Sequence, residues 1–549
     1  MMLDWRDHLL IVPIVLPMAM GGVMLLLGEG RATLKAGLNV VATVALLFVA
    51  VALLRQADEG PMQVAVYLAA NWPASFGIAL ALDRLSALML VLTATIALCS
   101  LMYSLARWHR AGVHFHPLFQ LQLMGLNGAF LTADLFNLFV FFEILLAASY
   151  GLLLHGSGPQ RVKAGLHYIA VNLAGSSLFL IGVAMIYGTT GSLNMADIAV
   201  RIGQVAGSDR MLMEAGAAIL GVAFLLKAGA WPLNFWLPPS YAAASPPAAA
   251  LFSVMTKVGV YVILRLSLLL FGERAGESSG LVQPWVLYIG LATLTFGTLG
   301  MLASQNTGRL AGFAVIISSG TLLAAIGFGR TSVTAAALFY LVSSTLALSA
   351  FFLLHELMER SRTFGADLLA ITLEAFGLDR STDPEDDMNS TDVGVVIPAA
   401  MAFLGLAFIA CALVIAGMPP LSGFVAKFVL LTAILNPDGL TPEIGHPEPL
   451  LAWVLLALLI ASGLTTVVSL TRIGIRSFWV PTVRTPPRLR VIEVFPITVM
   501  LVLGIVLMLQ AQPAMRYFHD AANALHHPEE YVRSVLSARQ ADHRGGISP

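Results

Sequence analysis

The stretch LLKAGAWPLNFWLPPSYAAASPPAAALFSVMTKVGVY, Leu225 to Tyr261, is apolar enough to lie in a bilayer yet contains two lysines, Lys227 and Lys257. Between them stand Pro232, Pro238, Pro239, Pro246 and Pro247. No single straight helix covers such a run, because each proline ring removes a donor and crowds the preceding turn. Broken backbone at membrane depth is tolerated only where protein or a water-filled cavity satisfies its loose N–H and C=O groups. A charged side chain at that depth costs at least ~2.5–3.5 kcal/mol on insertion scales, so both amines need a reason to be there. The stretch reads as half of an ion pathway.

Working outward, 58% of the 549 residues are hydrophobic and 11% charged, and mean hydropathy is +0.84. Soluble domains carry about 25% charge, so the chain is expected to be an all-α polytopic membrane protein. No polar stretch is long enough to bury a core of its own. A net charge of −1 offers no footprint for nucleic acid. Cys99 and Cys411 both fall in apolar runs, which argues against a disulfide framework. The start, MMLDWRDH and then an apolar run, lacks a positive n-region and a small-residue cleavage site and reads as a retained first helix.

Apolar windows suggest about fourteen transmembrane helices, the seventh and twelfth made discontinuous by proline. Helices 1–3 occupy residues 1–112, helices 4–8 residues 113–270, helices 9–13 residues 283–477, and helix 14 residues 491–511. Loops after odd spans hold Arg31, Lys35, Arg107, Arg110, Arg161, Lys163, Arg309, Arg360, Arg472 and Arg490 among others, whereas the even loops are poorer in charge. The positive-inside rule then puts the odd loops in the cytoplasm and both termini on the outer face. A loop at 358–392, acidic at STDPEDD, is expected at the cytoplasmic surface. The tail 513–549 is polar, and its scattered histidines, His519, His526, His527 and His543, read as solvated and disordered rather than as a metal site.

A repeat is visible. Ala228-Gly229-Ala230-Trp231-Pro232-Leu233 and Ala416-Gly417-Met418-Pro419-Pro420-Leu421 share the pattern AGxxPL, each beside an apolar-span lysine, Lys227 or Lys427. Pro232, Pro419 and Pro420 mark the helix breaks. The breaks fall five spans apart, an odd number, so equivalent helices run in opposite directions, as in two inverted five-helix repeats.

Four residues are candidates for moving protons: Glu143, mid-span among Phe139, Phe141 and Phe142, with Lys227, Lys257 and Lys427. A buried amine shifts its affinity readily enough to hold or release a proton near neutral pH. Glu143 is also open to a structural reading, as a carboxylate locking two helices, and Lys227 to a snorkelling one. Asp134, at the start of the Glu143 span, reads as a helix cap. His167 divides evenly between a proton relay and a satisfied interfacial histidine. Ser318, Ser319, Ser343, Ser344 and Thr345 are positioned to order water, although such residues more often pack helices. No Walker A or Rossmann fingerprint, cysteine cluster, haem motif or nucleophile elbow appears, so neither a catalytic group, a metal nor a cofactor is expected.

TADLFNLFVFFEILLAASYGLL, the opening stretch and AGMPPLSGFVAKF together resemble the D-type subunit of multisubunit monovalent cation/proton antiporters of the Mrp/Pha/Mnh type. That branch shares its superfamily with the antiporter-like subunits of respiratory complex I, and the resemblance covers about residues 80–510. It implies fourteen helices with interrupted helices seven and twelve, and an ion pair between Glu143 and Lys227. It also implies Lys257 at the middle of a hydrophilic axis, Lys427 at its exit, and a bacterial cytoplasmic-membrane location. The implied partners are a large A-type subunit, small membrane subunits, H⁺ and either Na⁺ or K⁺. Helix 11 departs from the pattern, with Ser343 and Ser344 where many members carry His or Lys, and helix 10 has Ser318 and Ser319 where complex I relatives place His. Two other readings stay open: a proton-pumping module of an NADH dehydrogenase or membrane-bound hydrogenase, and a scaffold that conducts nothing.

Overall fold

The structure, a computed structural model, describes residues 7–28, 30–59, 64–360, 399–436, 450–479 and 489–538. Among these, twelve helices are long and apolar enough to cross a membrane, and Val12–Leu26 and Ser422–Leu435 are shorter apolar ones. Phe115–Leu131 packs among them as a further crossing. The chain is thus an all-α polytopic membrane protein with about fourteen crossings, since Ser422–Leu435 completes the one begun by Ala399–Ala416. Large apolar side chains such as Phe48, 73% exposed, point outward, as a lipid-facing surface requires.

The helices are α1 (Val12–Leu26), α2 (Ala32–Glu59), α3 (Arg84–Ser104), α4 (Phe115–Leu131), α5 (Leu135–Leu154), α6 (Pro159–Thr190) and a short α7 (Met195–Arg201). Then come α8 (Gly207–Ala228), α9 (Leu237–Ala243), α10 (Pro246–Phe271), α11 (Gln283–Ala303), α12 (Thr307–Gly327) and α13 (Thr331–Arg360). The remainder are α14 (Ala399–Ala416), α15 (Ser422–Leu435), α16 (Leu450–Gly474), α17 (Val491–Leu509), α18 (Ala511–His526) and α19 (Glu529–Leu536). Lipid offers no hydrophobic drive for helix pairing, so close backbone approach at small residues does the work. Between α11 and α12, a Cβ on Gly290 would lie 2.2 Å from Ala324 N and one on Gly320 2.5 Å from Leu294 N. α10 is buried along almost its whole length and forms the centre of the molecule.

Two faces emerge. On one, arginines from distant loops tie chain ends together: Arg161 Nε donates to Ala243 O (2.9 Å), Arg472 Nη2 to Ser304 O (2.7 Å) and Arg490 Nη1 to Ala106 O (2.8 Å). This arginine face is the one expected from the odd loops. The other carries an antiparallel hairpin, Ala65–Leu68 against Ala79–Leu82, which the alternation-free sequence did not signal. Asp134 caps α5, its carboxylate accepting from Asn137 N at 2.7 Å, as expected.

Three expectations need correction or fall outside. Lys35 is not a loop charge but lies buried in the first turn of α2. The tail over residues 513–538 is not a disordered extension: α18 and α19 fold back on the hairpin face and bury Phe518, Ala521, Leu525, Tyr531 and Val535. Its histidines are spaced on amphipathic helices whose apolar stripe was masked by the polar average. The loop at 358–392 beyond Arg360, and His543 of the tail, lie outside the described residues.

Candidate functional site

Both proline breaks are built alike. α8 ends at Gly229 (φ +70°), where Gly229 N–H donates to Leu226 O and Ala230 N–H to Leu225 O. α14 ends at Gly417 (φ +77°), where Gly417 N–H donates to Val414 O and Met418 N–H to Leu413 O. This is the same C-terminal motif twice, with glycine supplying the left-handed residue it requires. Pro232 and Pro420 follow in cis peptide bonds. Each break leaves carbonyls and N–H groups turned inward: Trp231 N donates to Thr293 Oγ1 at 2.9 Å, and Ala416 O accepts from Lys427 Nζ at 2.9 Å.

The helices that carry Glu143 and the three lysines pack in turn through the middle of the molecule, α5 on α6, α6 on α8, α8 on α10, α10 on α13 and α13 on α15, which sets an axis. At one end Glu143, half-buried on α5, accepts from Ser176 Oγ on α6. One turn earlier on α6, Asn172 Oδ1 accepts from Lys227 Nζ at 2.8 Å, and Lys227 stands over the Phe142 ring at 5.9 Å. Glu143 and Lys227 therefore do not form the direct ion pair implied by the resemblance. Asn172 and Ser176, both on one face of α6, hold them apart, each taking one partner. Asn172 stands out in the sequence only as a polar residue of this span, because an amide carries no charge signal that assigns it a role.

At the centre Lys257 is 0% exposed, and its Nζ donates to Ser318 Oγ at 2.8 Å. Ser318 Oγ lies 3.0 Å from Ser344 Oγ, and the neighbouring Ser343 donates to Ser422 Oγ at 2.9 Å. Ser422 opens α15, whose Lys427 is wrapped by the second break. A Cβ on Gly417 would sit 2.4 Å from Lys427 Cδ, so the left-handed glycine also makes room for the lysine stem. The predicted positions fall into separate polar groups: Lys257 with Ser318 and Ser344, Ser343 with Ser422, and Lys427 with the Ala416 carbonyl of the second break. Ser318 joins Lys257, whereas Ser319 Oγ is buried with no hydrogen-bond partner among the described residues. His167 is not brought to the axis: it is exposed on the outer side of α6 and bonds only its own helix, Nδ1 to Lys163 O at 2.9 Å.

A cavity of about 640 Å³ opens on the arginine face, lined by Trp108, Arg161, Tyr241, His355, Glu356 and Glu359. It reaches Ala249 on α10, one turn before Ser253, whose Oγ lies 2.6 Å from Ser349 Oγ. Ser253 is in turn one helical turn from Lys257 on α10.

Replacing Asn172 by Leu removes the acceptor that holds Lys227. A hydrogen bond to a charged group is worth about 1.5–3 kcal/mol, so the substitution should destabilise the folded chain by about that much, read as a lowered melting temperature of the purified protein.

Residues 132–441 match the family model described as NADH:quinone oxidoreductase/Mrp antiporter, TM. Over 98% of the chain and 99% of the relative, the sequence is 55% identical to the D-type subunit of the probable K⁺/H⁺ antiporter of Rhizobium meliloti. It is 32% identical to the D-type subunit of the Na⁺/H⁺ antiporter of Alkalihalophilus pseudofirmus, over 96% and 99% of the two chains. Among solved structures, a chain of the Mrp complex from Dietzia superposes with TM-score 0.81 at 24% identity, covering 97% of this chain and all of that one. A chain of respiratory complex I from Thermus thermophilus superposes at 0.71 with 21% identity, over 96% of this chain and 100% of that one. At such identities the likeness is one of fold.

Proposed function

The chain belongs to the NADH:quinone oxidoreductase/Mrp antiporter family, as a D-type subunit of multisubunit cation/proton antiporters, and from that premise we propose that it carries the proton along the axis just described. Protons enter beside Glu143 and Lys227, pass through Lys257 and leave by Lys427. The observation that carries this reading is Lys257, a fully buried amine bonded to a serine hydroxyl rather than to a carboxylate. An unpaired buried cation costs several kcal/mol, which a purely structural residue does not offset.

Movement at the entrance is a small rearrangement. Lys227 leaves Asn172 and approaches Glu143, which favours its protonated form. When it returns to Asn172, the carboxylate is held by Ser176 and the ammonium gives up its proton toward Lys257. Water completes the gaps. Buried polar atoms without a protein partner are normally satisfied by water, and Asn234 Nδ2, Trp236 Nε1 and Ser319 Oγ are such atoms. The serines of α12 and α13 hold a hydrated passage where a titratable side chain stands in other members of the family.

The exchanged ion is K⁺ or Na⁺, in keeping with the names of the two relatives. The energy comes from the proton-motive force, ~2.3 kcal/mol per charge per 100 mV. The complex, completed by a large A-type and small membrane subunits, lies in a bacterial cytoplasmic membrane with the arginine face inward and both termini outside. Residues 113–270 and 283–477 form its two inverted repeats, each centred on one break.

In everted vesicles energised to an acid interior, adding K⁺ or Na⁺ should collapse the pH gradient when the complex is present. With Glu143→Gln in this chain the collapse should disappear, because the substitution keeps shape and hydrogen bonding but loses the charge. Unchanged exchange by an assembled Glu143→Gln complex excludes the entrance drawn above.

A further inference from the structure

Eight residues beyond Lys257, α10 carries a second buried cation that the axis above does not use. Arg265 lies about 12 Å farther along the helix, at 1.5 Å per residue, toward the hairpin face. Tyr261 stands between the two at the four-residue step, so Lys257, Tyr261 and Arg265 follow one stripe.

The guanidinium is held on every side. Its Nη2 donates to Asp83 Oδ1 at 2.8 Å and to Ser86 Oγ at 3.2 Å, and its Nε donates to Tyr261 Oη at 3.0 Å. Tyr261 Oη donates in turn to Phe130 O at 2.6 Å. Two rings close over the cation, Tyr261 at 5.2 Å and Tyr531 at 5.3 Å from Cζ. Tyr531 comes from α19, in the tail that folds back across this face, and Tyr517 of α18 donates to Arg84 O at 2.7 Å, beside Asp83. Thus the C-terminal helices are laid over the ion pair that stands between Lys257 and the hairpin face.

We propose that Asp83 and Arg265, covered by Tyr531, form a barrier that stops protons on Lys257 from passing straight to the hairpin face and so keeps them on the lateral axis. The inference rests on the reading of Lys257 as a proton carrier. Arginine stays protonated in proteins, so a proton reaching the guanidinium finds neither a base to take it up nor a group that hands one on. Asp83 neutralises it without leaving a free carboxylate, because the carboxylate is bonded by Arg265 and by Ser86 N at 2.8 Å. The aromatic cover excludes water from the outer side. Bracing of α3 against α10 is a weak alternative reason for the pair, since buried ion pairs replaced by apolar residues often leave stability unchanged or improved.

The test measures passive proton leak down an imposed pH gradient, without exchangeable cation, in vesicles containing the complete complex. Combining Asp83→Asn with Arg265→Met should raise the leak severalfold while the complex still runs intact on a native gel. Tyr531→Leu, which alters only the cover, should raise it less, and keeps the test decisive if the first variant does not assemble. Adding Lys257→Ala to any leaky variant should return the leak to the unmodified level, an effect that loosened packing would not produce. The proposal is overturned if assembled Tyr531→Leu and pair-neutralised complexes leak no faster than the unmodified one, or if the leak is indifferent to Lys257. Absence of cation-coupled proton movement in the unmodified complex would instead sink the reading of the axis.

Discussion

Replacing Lys257 by alanine abolishes cation-driven proton movement in everted vesicles while the altered chain remains in its complex. The reason is the isolation of the amine. It is fully buried, bonded to Ser318, and forms no ion pair among the described residues. Removing one partner of a buried pair would strand the other charge at a cost of about 3–5 kcal/mol, but here no partner is stranded. The truncation leaves a small cavity and relieves a desolvation penalty, so folding survives. Proton transfer does not, because the proposed route loses the amine that passes the proton between Lys227 and Lys427. Lys257→Arg sharpens the test: it keeps the charge, yet a guanidinium cannot release its proton. Both variants should be inactive at normal abundance. Full exchange by Lys257→Arg rules out proton hand-off at this position.

Gly423→Ala is expected to be as damaging for a different reason. Its Cβ would lie 1.9 Å from Val414 O and 2.7 Å from the Val414 carbonyl carbon, where α15 begins against the end of α14. Overpacking costs typically about 1–3 kcal/mol when side chains can move aside, and occasionally more. Here the obstacle is backbone, held by the hydrogen bonds that close the Gly417 break, so no rotamer change relieves it. The second break must open, shifting Ser422 from Ser343 and Ala416 O from Lys427. The complex should either fail to accumulate or assemble without exchange activity, read by native gel and by transport together. Gly405→Ala, on α14 with open space around its Cβ, is the control and should behave as the unmodified chain does. Equal behaviour of the two substitutions contradicts the tight break.

What could be read in advance followed from physics that acts locally. Twenty-residue apolar runs must be helices in lipid, prolines at Pro232, Pro419 and Pro420 must interrupt them, and lysines surviving there must be expensive. Those rules delivered the number of crossings, both breaks and the three amines. The repeated AGxxPL marked the same break twice, and the left-handed Gly229 and Gly417 are found there. The family resemblance supplied the grouping of Glu143 with the lysines.

Tertiary structure decided everything that depends on which neutral side chain faces which amine. Whether Ser318 or Ser319 meets Lys257 turns on the rotation of α12, and adjacent residues on a helix point about 100° apart. Asn172 separates Glu143 from Lys227 only because α6 presents Asn172 and Ser176 between α5 and α8. The Asp83–Arg265 pair joins residues far apart in the chain, and its cover comes from a tail whose average polarity hid two apolar stripes. Cost of burial is written residue by residue and shows in the sequence, whereas the partner that offsets it is set by packing across helices, which local patterns do not encode.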